Sequence, residues 1–357
     1  MHEDSDKVRA SQPKGDRTLF GRIASQIVKP PVEHLLLLIV ALVAIGVVLQ
    51  GGVAYLLVSF VAINGVAALG LNLTFGIGGM LSVAQAALVA VGGYTAALAM
   101  IHWHSPFLVA ALLGTVSASV VSSLFVLFAV RVRTQYFVLV SVAVAEIIVL
   151  LVTNLTITGQ AQGLGGFPPM NVAGVSLTSP KSLALVGGVV LVAVWYLADV
   201  FKGSRLGRSV FATSLNENLA MTCGINIMAC RLAVAAVGGA FAGLAGVLYA
   251  ETIGYLDPGD FTIRLAILFL VMVVVGGIGS NAWTVFAAVV FTYLTDGLTG
   301  LTTTGPLIYG LTIVVVLLVA PGGVASIAAR IINFSRNRVR RSGGGLASTE
   351  EAEVNSS

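Results

Sequence analysis

Apolar residues run through this chain in long stretches, broken by glycine clusters or by short segments that carry arginine and lysine. Between His34 and Val130 there is no Lys, Arg, Asp or Glu. One helical membrane crossing takes about 20 apolar residues, so that run accommodates several. In lipid only helices and closed barrels satisfy the backbone, and barrel strands alternate apolar and polar positions. Here the apolar positions are continuous, as in Leu35-Leu36-Leu37-Leu38-Ile39-Val40 and Val271-Met272-Val273-Val274-Val275. The pattern predicts an all-α polytopic membrane protein with about ten transmembrane helices, at 35–49, 53–75, 82–101, 107–130, 137–155, 183–201, 232–250, 264–278, 282–295 and 306–320. Two are interrupted at glycine clusters. Segment 53–75 runs into Gly76-Ile77-Gly78-Gly79, and the short segment 264–278 ends in Gly276-Gly277-Ile278-Gly279-Ser280.

Charge sets the orientation. Charged residues make up 10% of the chain, against about 25% in ordinary globular proteins. The net charge of +4 is not a nucleic-acid signal, because the basic residues flank apolar segments. They cluster before residue 33, at Arg131 and Arg133, at Lys202, Arg205, Arg208 and Arg231, and beyond Arg330. Placing all four clusters in the cytosol requires an even number of crossings between neighbours. The predicted segments give four, two and four. Both termini are then cytosolic. Residues 1–32 read as a disordered cytosolic tail, 33–330 as the membrane domain with a cytosolic loop at 202–231, and 331–357 as a basic, then disordered tail.

Catalytic chemistry is not visible. The four histidines have no metal-ligand spacing with carboxylates, and two cysteines make neither a disulfide framework nor a metal cage. The phosphate-binding pattern G-x-x-x-x-G-K-[ST] does not occur. No cofactor is expected in this chain, and it is expected not to hydrolyse ATP by itself. Transport is then passive, ion-coupled or driven by another subunit.

Three features carry the candidate function. Glycine-broken helices in the two halves of a transporter point to its substrate path, against the plainer reading that glycine allows close packing. That plainer reading is the better one for Gly239-x-x-x-Gly243 and Ala242-x-x-x-Gly246, a predicted helix–helix seam. Glu146 lies deep within segment 137–155. It either faces a path or proton relay, or holds helices together through Ser141, Thr153 or Asn154. Asp199 falls near a helix end and reads as solvated rim. In the loop 202–231, Ser214 is a candidate N-cap with Glu217 closing a capping box, and Gly224 a candidate stop. A short amphipathic helix there suits either partner docking or simple connection.

The residues of this loop reach a known family. Gly207-Arg208, then Asn216-Glu217, then Gly224-Ile225-Asn226 resemble the cytosolic loop of permease subunits of branched-chain amino-acid ABC transporters. Leu69-Gly70-Leu71-Asn72-Leu73-Thr74-Phe75-Gly76 with Leu81-Ser82 and Ala86-Ala87, Tyr136-Phe137 with Ala145-Glu146-Ile147, and Gly276-Gly277-Ile278-Gly279-Ser280 are similar to further blocks of the same family, in the same order. The resemblance is to its M-type, LivM-like half. It implies a second permease, either an H-type subunit or a second copy, two ATPase subunits that hold ATP-Mg, an extracytoplasmic solute-binding protein, and a surround of membrane lipid. It implies that Gly207, Arg208, Asn216, Glu217 and Gly224 belong to an ATPase-coupling loop. Gly76, Gly78, Gly79, Ser82, Gln85, Glu146, Gly276, Gly277 and Gly279 are the candidate substrate-pathway residues. The chain departs from the family at Ser214-Leu215, where an Arg-Glu pair is usual, at Met221, and at Met80 and Gln85, where Gln and His are frequent. Branched-chain or other hydrophobic amino acids are the expected cargo. Urea, short amides or another small polar solute, and a stand-alone ion-coupled carrier, remain open at this point.

Overall fold

A computed structural model describes residues 52–129, 134–172, 175–176 and 179–299. Expected segments 35–49 and 306–320, and both tails, lie outside the described residues. Within them the chain is helical. The helices are α1 (Gly52–Leu71), α2 (Gln85–Trp103), α3 (Phe107–Ala129), α4 (Thr134–Asn154), α5 (Pro180–Gly203), α6 (Arg205–Leu215), α7 (Glu217–Thr222), α8 (Ile227–Ile253), α9 (Ile263–Gly276) and α10 (Asn281–Thr299). Six of these segments are long and apolar enough to cross a membrane, and α9 and most of α10 are shorter apolar helices. This is an all-α polytopic membrane protein.

Each helix begins and ends where local chemistry allows. Ser179 caps α5 through Ser182 N, with Pro180 in the first turn, where its missing N–H costs nothing. Asn226 caps α8, and Gly254 closes it with φ 72°. Helix α1 does not simply stop at its glycines. It widens into a π-helical turn, Asn72–Ile77, before Gly78. Such turns insert an extra residue into the ladder and are frequent at functional sites.

Helix α8 is the hub, packing on α3, α2 and α1. Its small residues permit this. A Cβ on Gly243 would sit 2.7 Å from Ala118 Cβ and 2.7 Å from Gly114 O, and one on Gly239 2.8 Å from Ala118 O. On the other side, Gly92 and Gly243 touch backbone to backbone, as do Gly246 and Val89. The seam expected from the small-x-x-x-small spacing is therefore present and serves two neighbours at once. Gly243→Leu should lower the yield of folded, detergent-extracted protein several-fold, because overpacking against backbone has nowhere to relax. Gly188→Ala, with open space around it, should leave the yield unchanged. Size-exclusion profiles of the two variants check this.

The end of the fold far from α6 and α7 carries short strands that the sequence pattern does not reveal. β1 (Leu164–Gly165) pairs antiparallel with β4 (Tyr255–Leu256), and β2 (Asn171–Val172) with β3 (Val175–Ser176). The Tyr94 hydroxyl donates to Leu256 O at 3.0 Å, tying α2 to this cap.

Candidate functional site

The two glycine clusters, about 200 residues apart in the chain, meet in space. A Cβ on Gly76 would lie 2.5 Å from Gly279 N and 2.6 Å from Asn72 Oδ1. Only a residue without a side chain fits there. Each cluster is the reversal of a helical hairpin. Gly79 turns the chain between α1 and α2 with φ 67°, and Gly277 and Gly279 turn it between α9 and α10 with φ 107° and 84°. Gly78 packs on Thr74 O and Val234, and Gly276 on the backbone of Trp283 and Thr284.

Four polar side chains clasp these turns. Asn72 is fully buried. Its Oδ1 accepts from Gly279 N at 2.8 Å, and its Nδ2 donates to Asn281 Oδ1 at 2.9 Å. Asn281 Nδ2 donates to Asp199 Oδ1 at 2.7 Å. Lys202 Nζ donates to Gly279 O at 2.6 Å. The last turn of α5 thereby holds both glycine turns. In a medium of low dielectric, hydrogen bonds of this kind are strong, and leaving one partner unpaired is costly. Asp199, read from its position as solvated rim, is instead half-buried in this clasp. The sequence held one signal for it. Asn72 and Asn281 are amides set directly beside the two glycine clusters in otherwise apolar stretches, and Asp199 and Lys202 share one helix face.

Helices α6 and α7 lie directly below. Ser204 caps α6 by accepting from Gly207 N at 3.0 Å. Gly207 is wedged under the end of α5, where a Cβ would sit 2.9 Å from Lys202 O. Arg208 Nη1 donates to Gly203 O at 2.5 Å. The expected cap at Ser214 is displaced: Ser214 lies inside α6. Asn216 makes the break and caps α7, its Oδ1 accepting from Leu219 N at 3.1 Å. The amide at Asn216 reaches the first turn of α7 directly, so the loop forms two helices. Glu217 does not close a capping box; it pairs with Arg231. Gly224 ends the pair with φ 76°. A Cβ on Gly79 would be 3.1 Å from Ser214 Cβ, so α6 touches the first glycine turn. These helices expose Leu206, Leu215, Leu219 and Met221.

The remaining candidates do not join this cluster. Ser82 Oγ accepts from Ala84 N at 3.2 Å in the turn leading to α2. Gln85 is buried and donates to Ala67 O at 2.9 Å and Gly238 O at 3.5 Å, bridging α2, α1 and α8. Glu146 stands apart on the exposed side of α4. The partners imagined for it, Ser141, Thr153 and Asn154, each bond to a carbonyl of α4 itself.

Residues 52–321 match the family described as the branched-chain amino acid transport system / permease component. The chain belongs to that family. It is 25% identical over 299 residues to the high-affinity branched-chain amino acid transport system permease protein LivM of Salmonella typhimurium strain LT2, across 77% of this chain and 70% of that one. It is 26% identical to the LivM of Escherichia coli K12, across 62% of this chain and 58% of that one, and so spans less than two thirds of that relative's length. A probable LivM of Methanocaldococcus jannaschii is 26% identical across 63% of this chain and 66% of its own. No solved structure matches. All three relatives are named as permease proteins of branched-chain amino acid transport.

Proposed function

We propose that this chain is the permease half of an ABC importer of the bacterial inner membrane, moving branched-chain or other hydrophobic amino acids into the cytosol. Partner ATPase subunits, holding ATP-Mg, drive it, and an extracytoplasmic binding protein delivers the cargo. The observation that carries this reading is the contact of α6 with the first glycine turn, one clasp away from the second. A force applied to α6 from below reaches the first turn through the Gly79–Ser214 contact and the second through the end of α5, on which α6 abuts and whose Lys202 bonds to Gly279. In this reading α6 and α7, with Gly207, Arg208, Asn216, Glu217 and Gly224, seat on an ATPase through their exposed apolar face. The turns at Gly76–Gly79 and Gly276–Gly279 border the route on its cytosolic side, Ser82 and Gln85 stand behind them, and Glu146 is a structural or path-shaping carboxyl rather than a proton carrier.

Two experiments test it. Proteoliposomes containing the chain with its companion subunits should take up labelled leucine with ATP inside and the proton gradient dissipated. Glu146→Gln should retain most of that uptake. Wild-type uptake that needs no ATPase, and that dies in Glu146→Gln, would make the chain a proton-coupled carrier instead. For the coupling loop, Glu217→Lys should uncouple ATP hydrolysis from uptake. The double variant Glu217→Lys/Arg231→Glu restores the ion pair. If the double variant regains uptake, the effect was the lost pair; if it does not, Glu217 is read by the ATPase.

Orientation has its own check. With Cys223 replaced by serine, an impermeant maleimide added to intact cells should label Gln162→Cys and spare Asn218→Cys, both positions being exposed. The reverse pattern would invert the basic-residue argument for topology.

A further inference from the structure

Helix α4 presents one continuous exposed stripe, formed by Tyr136, Leu139, Ala143, Glu146, Ile147 and Leu150. Helices α3 and α5 also present exposed stripes, through Leu112, Val116, Val120 and Leu124 and through Leu185, Val189, Tyr196 and Leu197. Those two suit lipid: away from the helix ends they carry no carboxylate and no basic group. The stripe on α4 does not. Thr134 precedes Glu146 by twelve residues and Asn154 follows it by eight, about 18 Å and 12 Å at 1.5 Å per residue. The carboxylate is therefore within a few Å of the middle of a span about 30 Å thick. Among the described residues it has no hydrogen-bond partner and no packing cover. An ionised group at that depth in lipid costs about 3 kcal/mol or more. Such residues face protein or a water-filled cavity rather than acyl chains.

We propose that this face of α4 is the seam with the second permease chain, and that the partner brings a hydrogen-bond donor opposite Glu146. The inference rests on the reading of the chain as one of a permease pair. Depth selects the partner. An ATPase or a soluble binding protein meets the membrane surface, whereas only another membrane-embedded helix reaches a residue midway through a span. The shape fits an opposing helix. Ala143 is small, and Ile147, Leu150, Leu151, Asn154 and Leu155 form a shallow, open and mostly apolar patch beginning beside Glu146. Asn154 already bonds to Leu150 O, so Glu146 is the polar group on this face still to be matched.

The test is photo-crosslinking in the assembled transporter. Benzoylphenylalanine replaces Leu139, Ile147 or Leu150 in turn, exposed positions that take a bulky probe, and Val120 on α3 serves as the lipid-facing reference. Adducts are identified by mass spectrometry. The expected result is a covalent product joining the α4 probes to a helix of a second permease chain, with Val120 giving lipid adducts alone. Adducts from α4 to lipid alone, to residues 35–49 or 306–320 of the same chain, or to the ATPase or binding protein overturn the proposal, as does the absence of any protein adduct from all three positions. Uptake driven by ATP in the same preparation keeps the ABC reading separate: its presence with lipid-only adducts rejects the seam and leaves the permease function standing.

Discussion

Gly76→Val is expected to abolish uptake and remove most of the assembled protein. The added Cβ meets Gly279 N at 2.5 Å and Asn72 Oδ1 at 2.6 Å. Neither neighbour is a flexible chain end. One is main chain in a turn with φ 84°, and the other is held at both ends by hydrogen bonds. Overpacking a well-filled core costs about 1–3 kcal/mol, and backbone against backbone belongs at or above the top of that range. The measurement is the fraction of monodisperse complex after extraction, followed by uptake per folded molecule. Gly79→Leu separates packing from pathway. Gly79 is exposed and touches only Ser214, so assembly should survive the strain of its positive φ while uptake is lost. Full uptake in Gly79→Leu would leave close packing as the sole role of the first glycine cluster.

Asn72→Leu is expected to have the next largest effect. It strands two groups in a buried place, the Gly279 N–H and the side-chain Oδ1 of Asn281, at about 1–3 kcal/mol each. The thermal midpoint of the purified complex should fall accordingly. Stability alone does not identify a clasp, so a second, part-buried pair serves as reference. Asn64 Nδ2 donates to Thr292 Oγ1 at 2.9 Å between α1 and α10, away from the glycine turns. Asn64→Leu should lower stability without changing the number of ATP molecules hydrolysed per substrate moved. Asn72→Leu should change that ratio as well. Equal ratios in the two variants would reduce the clasp to a structural tie.

The helices were legible because lipid demands long apolar runs, and each of the eight described segments falls within a few residues of its expected place. The α8 seam was legible for a similar reason, since small residues four apart leave one face of a helix bare. The clasp was not. Its members are separated by up to 209 positions, and a lone amide or a carboxylate near a helix end carries no mark of what it will meet. Asp199 illustrates this: its distance from the chain's apolar midpoints suggested solvent, and only the arrival of Asn281 from a distant hairpin gives it a partner. Ser214 was misjudged for a local reason. Ser-x-x-Glu is a sound capping pattern, but Asn216 competes for the same start, and the chain breaks where the amide is. Glu146 falls within helix α4, as its place in an apolar run led one to expect, whereas the direction in which it faces depends on rotation and on neighbours.

Helix α9 stops after 14 residues, about 21 Å, and the chain turns back through Gly277 and Gly279. At that place the two glycine turns meet main chain to main chain, with no side chain projecting from Gly76 or Gly279, and the Gly279 peptide is already bonded on both sides, its N–H to Asn72 and its carbonyl to Lys202. On the proposed reading that this junction borders the route, it holds no side chain to exchange, so substitutions that retune cargo preference are expected to map elsewhere.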